Sequence, residues 1–406
     1  VSVREKVSLV RCASQAPDEE VVRGTEDAIL QLGDYGRAFD GARTIVLKIN
    51  AGVDRVVLNH GKQTELTEPA VLEGTIRALR RVSDAQIIVG DAATAGNTRE
   101  VYESLGLAQR LERYPNVRLH DFNLSELVEV EMTHAERMFR SYMLPREVVE
   151  ADAIVSVSKM KAHVSVGCTL CIKNLFGWMP MSVYGSPREY LHDRLIRLPR
   201  VLSDLAQWMR PALNVVDGIV AANKSEWGGE ALFPGVILAG TNIVATDSVG
   251  ARVMGFDPNQ DYPNHPFYYR RNAIRLAAEA GLGPNTPQFI QVLGPAPEAV
   301  STPFEVHRYG GDTQRTEQIQ QGAQCVALYQ ERQDQLAQQF PNRFLALRDG
   351  QVLWDAPDMK TIQSLERQSG RDWQNTAQFV VRCVPPEEEI EELGWYQAEA
   401  EAQVLA

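Results

Sequence analysis

Residues 151–177 read ADAIVSVSKMKAHVSVGCTLCIKNLFG, and this stretch restricts the fold more than any other. Its first part is an apolar run rich in Val and Ile, the composition of a strand. Its second part places Lys159, Lys161, His163, Cys168, Cys171, Lys173 and Asn174 within sixteen residues. A continuous apolar strand needs cover on both faces, as inside a parallel sheet. In open sheets of that kind, ligands bind beyond the carboxyl ends of the strands. A buried strand that runs into a cluster of cations therefore predicts an α/β fold and the edge that carries its chemistry.

The flanking sequence repeats the pattern. Residues 7–11, 44–49, 86–90, 117–120, 153–157, 213–216 and 235–239 read as strands. Residues 19–32, 69–82, 98–105, 187–209 and 243–254 have helical periodicity. Thr67-Glu68-Pro69 is a helix start with Pro in the first turn, and Gly106 is a stop. Such alternation implies a mainly parallel sheet with helices on both faces. The strand ends then bring Asn50, Asp91, Asp121, His163 and Asp217 to one edge. Residues 128–132 and 140–143 read as an added antiparallel piece.

The expected division is an α/β domain over 1–300, a Gln-rich linker and helix over 301–340, a small α+β module over 341–386 and an acidic, solvated tail over 387–406. The stretch PAPEAVSTP at 295–303 suggests the first boundary. Two apolar runs around Asp349-Gly350 signal a hairpin in the module.

Composition excludes some functions. A net charge of −12 disfavours a general nucleic-acid binder, which needs a basic face to release counterions. No apolar run reaches the ~18 residues of a membrane span. The N-terminus VSVREKVSLVRC has no signal-peptide pattern, so the expected location is the cytoplasm. Five cysteines are too few, and odd in number, for a disulfide scaffold.

Lys159, Lys161 and His163 alternate, so on an extended backbone they point the same way. Three basic groups on one face repel unless an anion such as phosphate or carboxylate lies among them. Lys173 sits among apolar neighbours, where a lysine is either paired or has a lowered pKa suited to covalent or general-base chemistry. His192, expected on the helix over 187–209, is a candidate proton carrier or metal ligand. Asp91 follows a strand in a small, glycine-flanked loop (Gly90 to Gly96) whose backbone N–H groups suit an anion. Asp217 and Asp247 sit among apolar residues and need partners. Lys173 or Lys161 is the expected partner of Asp247, and Asp217 or Asp247 of Lys173. Cys168 and Cys171 form one CxxC, which supplies two of the roughly four ligands of a zinc or four-iron site.

LKINAG, VGDAATAGNT, ADAIVSVSKMKAH, TLCIKNLFG, LHDRL, NVVDGI and ILAGTNIVATDSVGARVMG, in this order, resemble the DUF362 family over about residues 7–295. That family is named for lacking an assigned function; some members carry ferredoxin-type iron–sulfur modules, and this chain has no CxxCxxCxxxC run. Residues 344–384 resemble a DUF5678-type module. A more distant similarity is to the N-terminal domain of nickel-pincer lactate racemases. There a lysine ten residues after a histidine tethers the cofactor; His163 and Lys173 have that spacing, and His192 matches a further histidine. Leu170-Cys171-Ile172 stands where the racemases have Gly-Gly, and Gly90-Asp91-Ala92 where they have Gly-Thr-His.

The leading expectation is an enzyme that binds a small anionic molecule. Lys173, His163, Lys161 and His192 would be its catalytic groups, and Asp91, Asn174, Asp217 and Asp247 its cofactor-binding groups. A divalent metal, nickel among the candidates, would be held by His163 and His192. One alternative is an iron–sulfur or zinc redox protein using Cys168 and Cys171, with a homodimer completing the site. Another is a non-catalytic interaction protein acting through the C-terminal module. No nucleic-acid or membrane partner is expected.

Overall fold

The computed structural model describes residues 4–94, 97–192, 195–308, 312–370 and 376–404. Ala95, Gly96 and Asp193, named in the motifs above, lie outside them. The chain forms two compact units. The first comprises Val1–Val128, Leu144–Trp178 and Leu202–Arg308; the second comprises Glu129–Met143, Met179–Val201 and Tyr309–Ala406. This partition differs from a cut at residue 300.

The first unit is built on one sheet. Its strands lie in the order Ile290–Leu293, Glu5–Arg11, Val236–Gly240, Leu213–Asn223, Ala153–His163, Thr44–Ile49, Gln86–Asp91 and Val117–Asp121. From Leu213–Asn223 to Val117–Asp121 every neighbouring pair is parallel. Val236–Gly240 runs antiparallel to both its neighbours. The strand Ala153–His163 is central and buried at every position, which explains its near-continuous apolar character.

Alternation sorts the side chains. Ile45, Leu47, Val155, Val157 and Val215 belong to one apolar cluster with Val21, Val22, Ala28 and Ile29 of helix Asp18–Leu30 and Leu72, Ile76 and Leu79 of helix Pro69–Arg80. Helices Cys171–Leu175 and Ile243–Val253 pack on the sheet and on each other. The intervening strand positions include Lys48, Ser156 and Ser158, all buried. This second set of sheet positions is thus partly polar, and its groups need partners.

Several boundaries differ from the sequence reading. The strand that begins at Leu213 continues to Asn223, so Asp217 lies within it rather than at its end. The helix expected over 187–209 begins at Arg197. Arg188 adopts a left-handed backbone with φ 69°, which no helix accommodates. His192 is therefore not on a helix. Leu127–Glu131 and Ser141–Pro145 pair as a two-stranded sheet, as expected.

The second unit holds a three-stranded antiparallel sheet in the order Gln351–Ala356, Phe344–Arg348, Phe379–Arg382. Asp349 and Gly350, at φ 49° and 70°, make the hairpin turn, where a two-residue loop with both φ positive matches strand twist. The acidic tail does not lie in solvent. Glu391 is buried against Arg197 at 2.7 Å, and Glu399 is buried against Arg200.

Candidate functional site

Lys159, Lys161 and His163 take separate roles at the end of their strand. Lys159 pairs across to Asp217 at 2.8 Å, both side chains fully buried. Asp217 also accepts N–H bonds from Glu68 at 2.9 Å and Ile219 at 3.2 Å. Asp217, expected as a partner of Lys173, is thus committed to its neighbouring strand and to the start of helix Pro69–Arg80.

The Lys161 ammonium donates to Asn50 Oδ1 at 3.2 Å and to the Glu65 carbonyl at 3.0 Å. It also lies 3.7 Å from the centre of the Trp227 ring, a cation–π contact. Burial brings its pKa down to about 7; the Glu226 charge opposes this and the Lys173 charge reinforces it. His163 Nδ1 accepts the N–H of Ser165 at 3.1 Å, so that nitrogen is unprotonated and a neutral ring carries its proton on Nε2. Nε2 is 3.6 Å from Glu226 Oε1. Burial, then the charges of Lys173, Lys161 and Arg270, holds the imidazole well below its ordinary pKa. Lys161, His163, Lys173 and Arg270 are therefore electrostatic neighbours; Glu226 stands beside His163, and the charges of Glu226 and then Glu65 act on Lys161.

Lys173 is placed by the short helix Cys171–Leu175. Its start is capped by Asp247, whose two oxygens accept the N–H groups of Cys171 and Ile172, each at 2.8 Å. The expected lysine partner of Asp247 is replaced by backbone. Burial pushes this carboxyl up to about 7, against the two amide bonds that favour its charged form. Lys173 is half-buried, and its ammonium lies 4.7 Å from the centre of the Phe176 ring.

Asn174 and Asp91 meet a residue that sequence reasoning passed over. Lys48, buried in TIVLKI, pairs with Asp91 at 2.8 Å and reaches Asn174 Oδ1 at 3.5 Å. Asp91 also accepts the N–H of Ala51 at 2.7 Å. The signal was present: a charge inside an apolar run needs a partner, the argument already applied to Asp247. Asn50, expected at this edge, does meet Lys161, whereas Glu65, Glu226, Trp227 and Arg270 were also missed. They come from loops, where no periodicity marks them.

The metal and redox expectations meet a different chemistry. Among the described residues no group of three or more His, Cys, Asp or Glu side chains is disposed to hold an ion. Metal at His163 Nδ1 would displace the Ser165 bond, and at Nε2 the ring proton. Cys168 and Cys171 are buried, and burial pushes both thiols up, which disfavours the thiolate. The Cys171 thiol lies 3.3 Å from the Ser158 hydroxyl. Among the described residues, His163, Cys168 and Cys171 are thus not gathered into one ligand set. His192 belongs to the second unit, where with Arg197, Glu366 and Phe379 it lines a cavity of about 130 Å³.

Fold and site together define an α/β protein with a basic cluster at the carboxyl edge of its parallel strands. Residues 45–252, just over half of the chain, match the family described as Domain of unknown function (DUF362), and the chain belongs to that family. The DUF5678 resemblance concerns residues outside this match. A thylakoid-associated protein of Synechocystis sp. is 24% identical over 260 residues, which are 63% of this chain and 76% of that protein. Among solved structures, the lactate racemase apoprotein from Thermoanaerobacterium thermosaccharolyticum aligns with a TM-score of 0.34 at 12% identity, over 63% of this chain and 58% of that one. A Thermotoga maritima protein solved by a structural genomics consortium aligns with a TM-score of 0.31 at 13% identity, over 57% of each chain. This chain thus spans under three fifths of either solved protein. No helix among the described residues is long and apolar enough to cross a membrane.

Proposed function

We propose that the Lys161–His163–Lys173 cluster binds a small anion and moves a proton on it, so that the protein is an enzyme. The observation that carries this reading is the mutual effect of the basic groups. Lys173 depresses the proton affinity of both Lys161 and His163, and Arg270 adds to the effect on His163. Lys161 and His163 are buried and Lys173 half-buried at one strand end, where basic groups oppose one another's charge and an anion among them relieves that opposition. Lys173 and Arg270 would supply positive charge. Lys161, near 7, has the proton affinity of a general base or acid at neutral pH. Neutral His163 offers its Nε2 proton. Asp247 positions Lys173 through the helix start, and Lys48 with Asp91 and Asn174 holds the loop after the neighbouring strand.

The test is calorimetric titration with phosphate and with small carboxylates, on wild type and Lys173→Met. A folded Lys173→Met protein with wild-type circular dichroism and anion affinity at least about tenfold weaker supports the reading. A Lys173→Met chain that does not fold would make the lysine a structural element and overturn it.

A further inference from the structure

The loop that follows strand Leu213–Asn223 carries Glu226 and Trp227 over the basic cluster. Glu226 Oε1 stands 3.6 Å from His163 Nε2, and Oε2 accepts the N–H of Val164 at 3.3 Å. Of the charges acting on Lys161, that of Glu226 is the foremost. Trp227 closes over the Lys161 ammonium. The carboxylate thus stands where cations converge at a strand end, the position from which a ligand would be held. It is not fixed there by burial: 21% of the side chain is exposed.

The loop ends are pinned independently of Glu226. The N–H of Lys224 bonds to the Glu305 carbonyl at 3.0 Å, and the N–H of Gly228 bonds to Glu65 Oε1 at 2.7 Å. Lys224 and Gly228 both have left-handed backbones, at φ 67° and 71°, and Gly228 can hold that conformation without strain. The segment between these anchors is short, so turning the Glu226 side chain outward requires no displacement of the strand.

We infer that Glu226 is an internal stand-in for the ligand, that the ligand's anionic group is a carboxylate, and that binding requires Glu226 to turn out and Trp227 to shift. This rests on the anion-binding reading above and adds the ligand class and the gate. A carboxylate is favoured because the cluster already seats one, through one contact to the imidazole and one to a backbone N–H. The electrostatics follow directly. Two carboxylates at the same imidazole and backbone N–H repel and overlap, so ligand and Glu226 compete for that place, and removing the resident charge strengthens the newcomer.

The experiment compares wild type, Glu226→Gln and Glu226→Ala by calorimetric titration with acetate and with phosphate, at fixed chloride. Tryptophan emission is recorded in parallel, with Trp227→Phe as the control. Acetate should bind Glu226→Ala roughly tenfold or more tightly than wild type, with Glu226→Gln also tighter than wild type. The emission change on binding should vanish in Trp227→Phe. Equal acetate affinity in wild type and both Glu226 variants would overturn the stand-in while leaving an anion site. Phosphate binding with no acetate binding would overturn the ligand class and leave the anion site. Failure of both anions on every folded variant would overturn this inference and the reading beneath it together. Should Glu226→Ala not fold, Glu226→Gln keeps the side chain's shape and decides the question alone.

Discussion

The Lys159–Asp217 pair offers the sharpest check on how the strand end is organised. Both side chains are fully buried and 2.8 Å apart. Lys159→Met keeps the volume and leaves Asp217 with its two backbone donors, Glu68 and Ile219. Asp217→Asn keeps an acceptor for Glu68 but leaves the Lys159 ammonium facing an amide. Removing one partner of a buried pair costs about 3–5 kcal/mol, because the other charge is stranded. The double variant strands no charge, so it should cost no more than either single, a coupling of about 3 kcal/mol or more. With a urea slope of about 3 kcal/mol per molar, each single lowers the unfolding midpoint by about 1 M or somewhat more. Urea titrations followed by tryptophan emission and circular dichroism give these midpoints. Additive single effects, or singles costing under about 1 kcal/mol, would refute the assignment of Lys159 to fold-holding.

Lys161 sets a pH signature. Its folded pKa of about 7 lies below the ordinary 10.5, so between these values the unfolded chain binds a proton that the folded chain lacks. Stability contributed by this group therefore rises with pH from about 7 to 10.5, by up to about 1.4 kcal/mol per unit, and is at its lowest, and flat, below 7. Lys161→Met should remove that slope from a series of melting curves; an unchanged slope counts against it. Asp247→Ala removes the acceptor for two helix-start amides and should cost about 1–2 kcal/mol in urea, while also weakening anion binding through Lys173; unaltered affinity would deny Asp247 its positioning role. A methyl group at Gly177 would fall 2.6 Å from both Asp91 Oδ1 and Lys48 Nζ, so Gly177→Ala should destabilise by about 1–3 kcal/mol, and a neutral result would mean that the pair there readily shifts. Truncation after residue 386 removes Glu391 and Glu399 from Arg197 and Arg200 and should expose the second unit to limited proteolysis; wild-type resistance would show the tail dispensable.

The parallel core was legible because its strands are apolar throughout and separated by amphipathic helices. The hairpin at Asp349-Gly350 was legible from its turn chemistry. The helix over 187–209 was drawn too long because Tyr190, Leu191, Leu195 and Leu198 continue an apolar pattern that periodicity cannot tell from buried irregular chain. In the candidate site, the sequence marked Lys161, His163, Lys173, Asp217 and Asp247 as costly to bury alone. It could not choose their partners. Lys159 and Asp217 lie 58 residues apart and meet only through strand adjacency, and Asp247 turned to backbone, which carries no side-chain signal. Glu391 and Glu399 read as tail because an acidic run looks solvated until its arginines are in place.

The chain passes between its two units five times, since the second is assembled from residues 129–143, 179–201 and 309–406. A ribosome that has released residue 308 has delivered every segment of the first unit but only the two shorter pieces of the second. Those pieces carry Tyr190, Arg197 and Arg200, whose carboxylate partners, Glu391 and Glu399, lie in the stretch synthesised last. For the time needed to make residues 309–406, at a synthesis rate of roughly 5–20 per second, the nascent protein holds every strand of the large sheet while the second unit lacks its longest segment. That interval of several seconds is when a chaperone, or a second nascent chain, has most to bind.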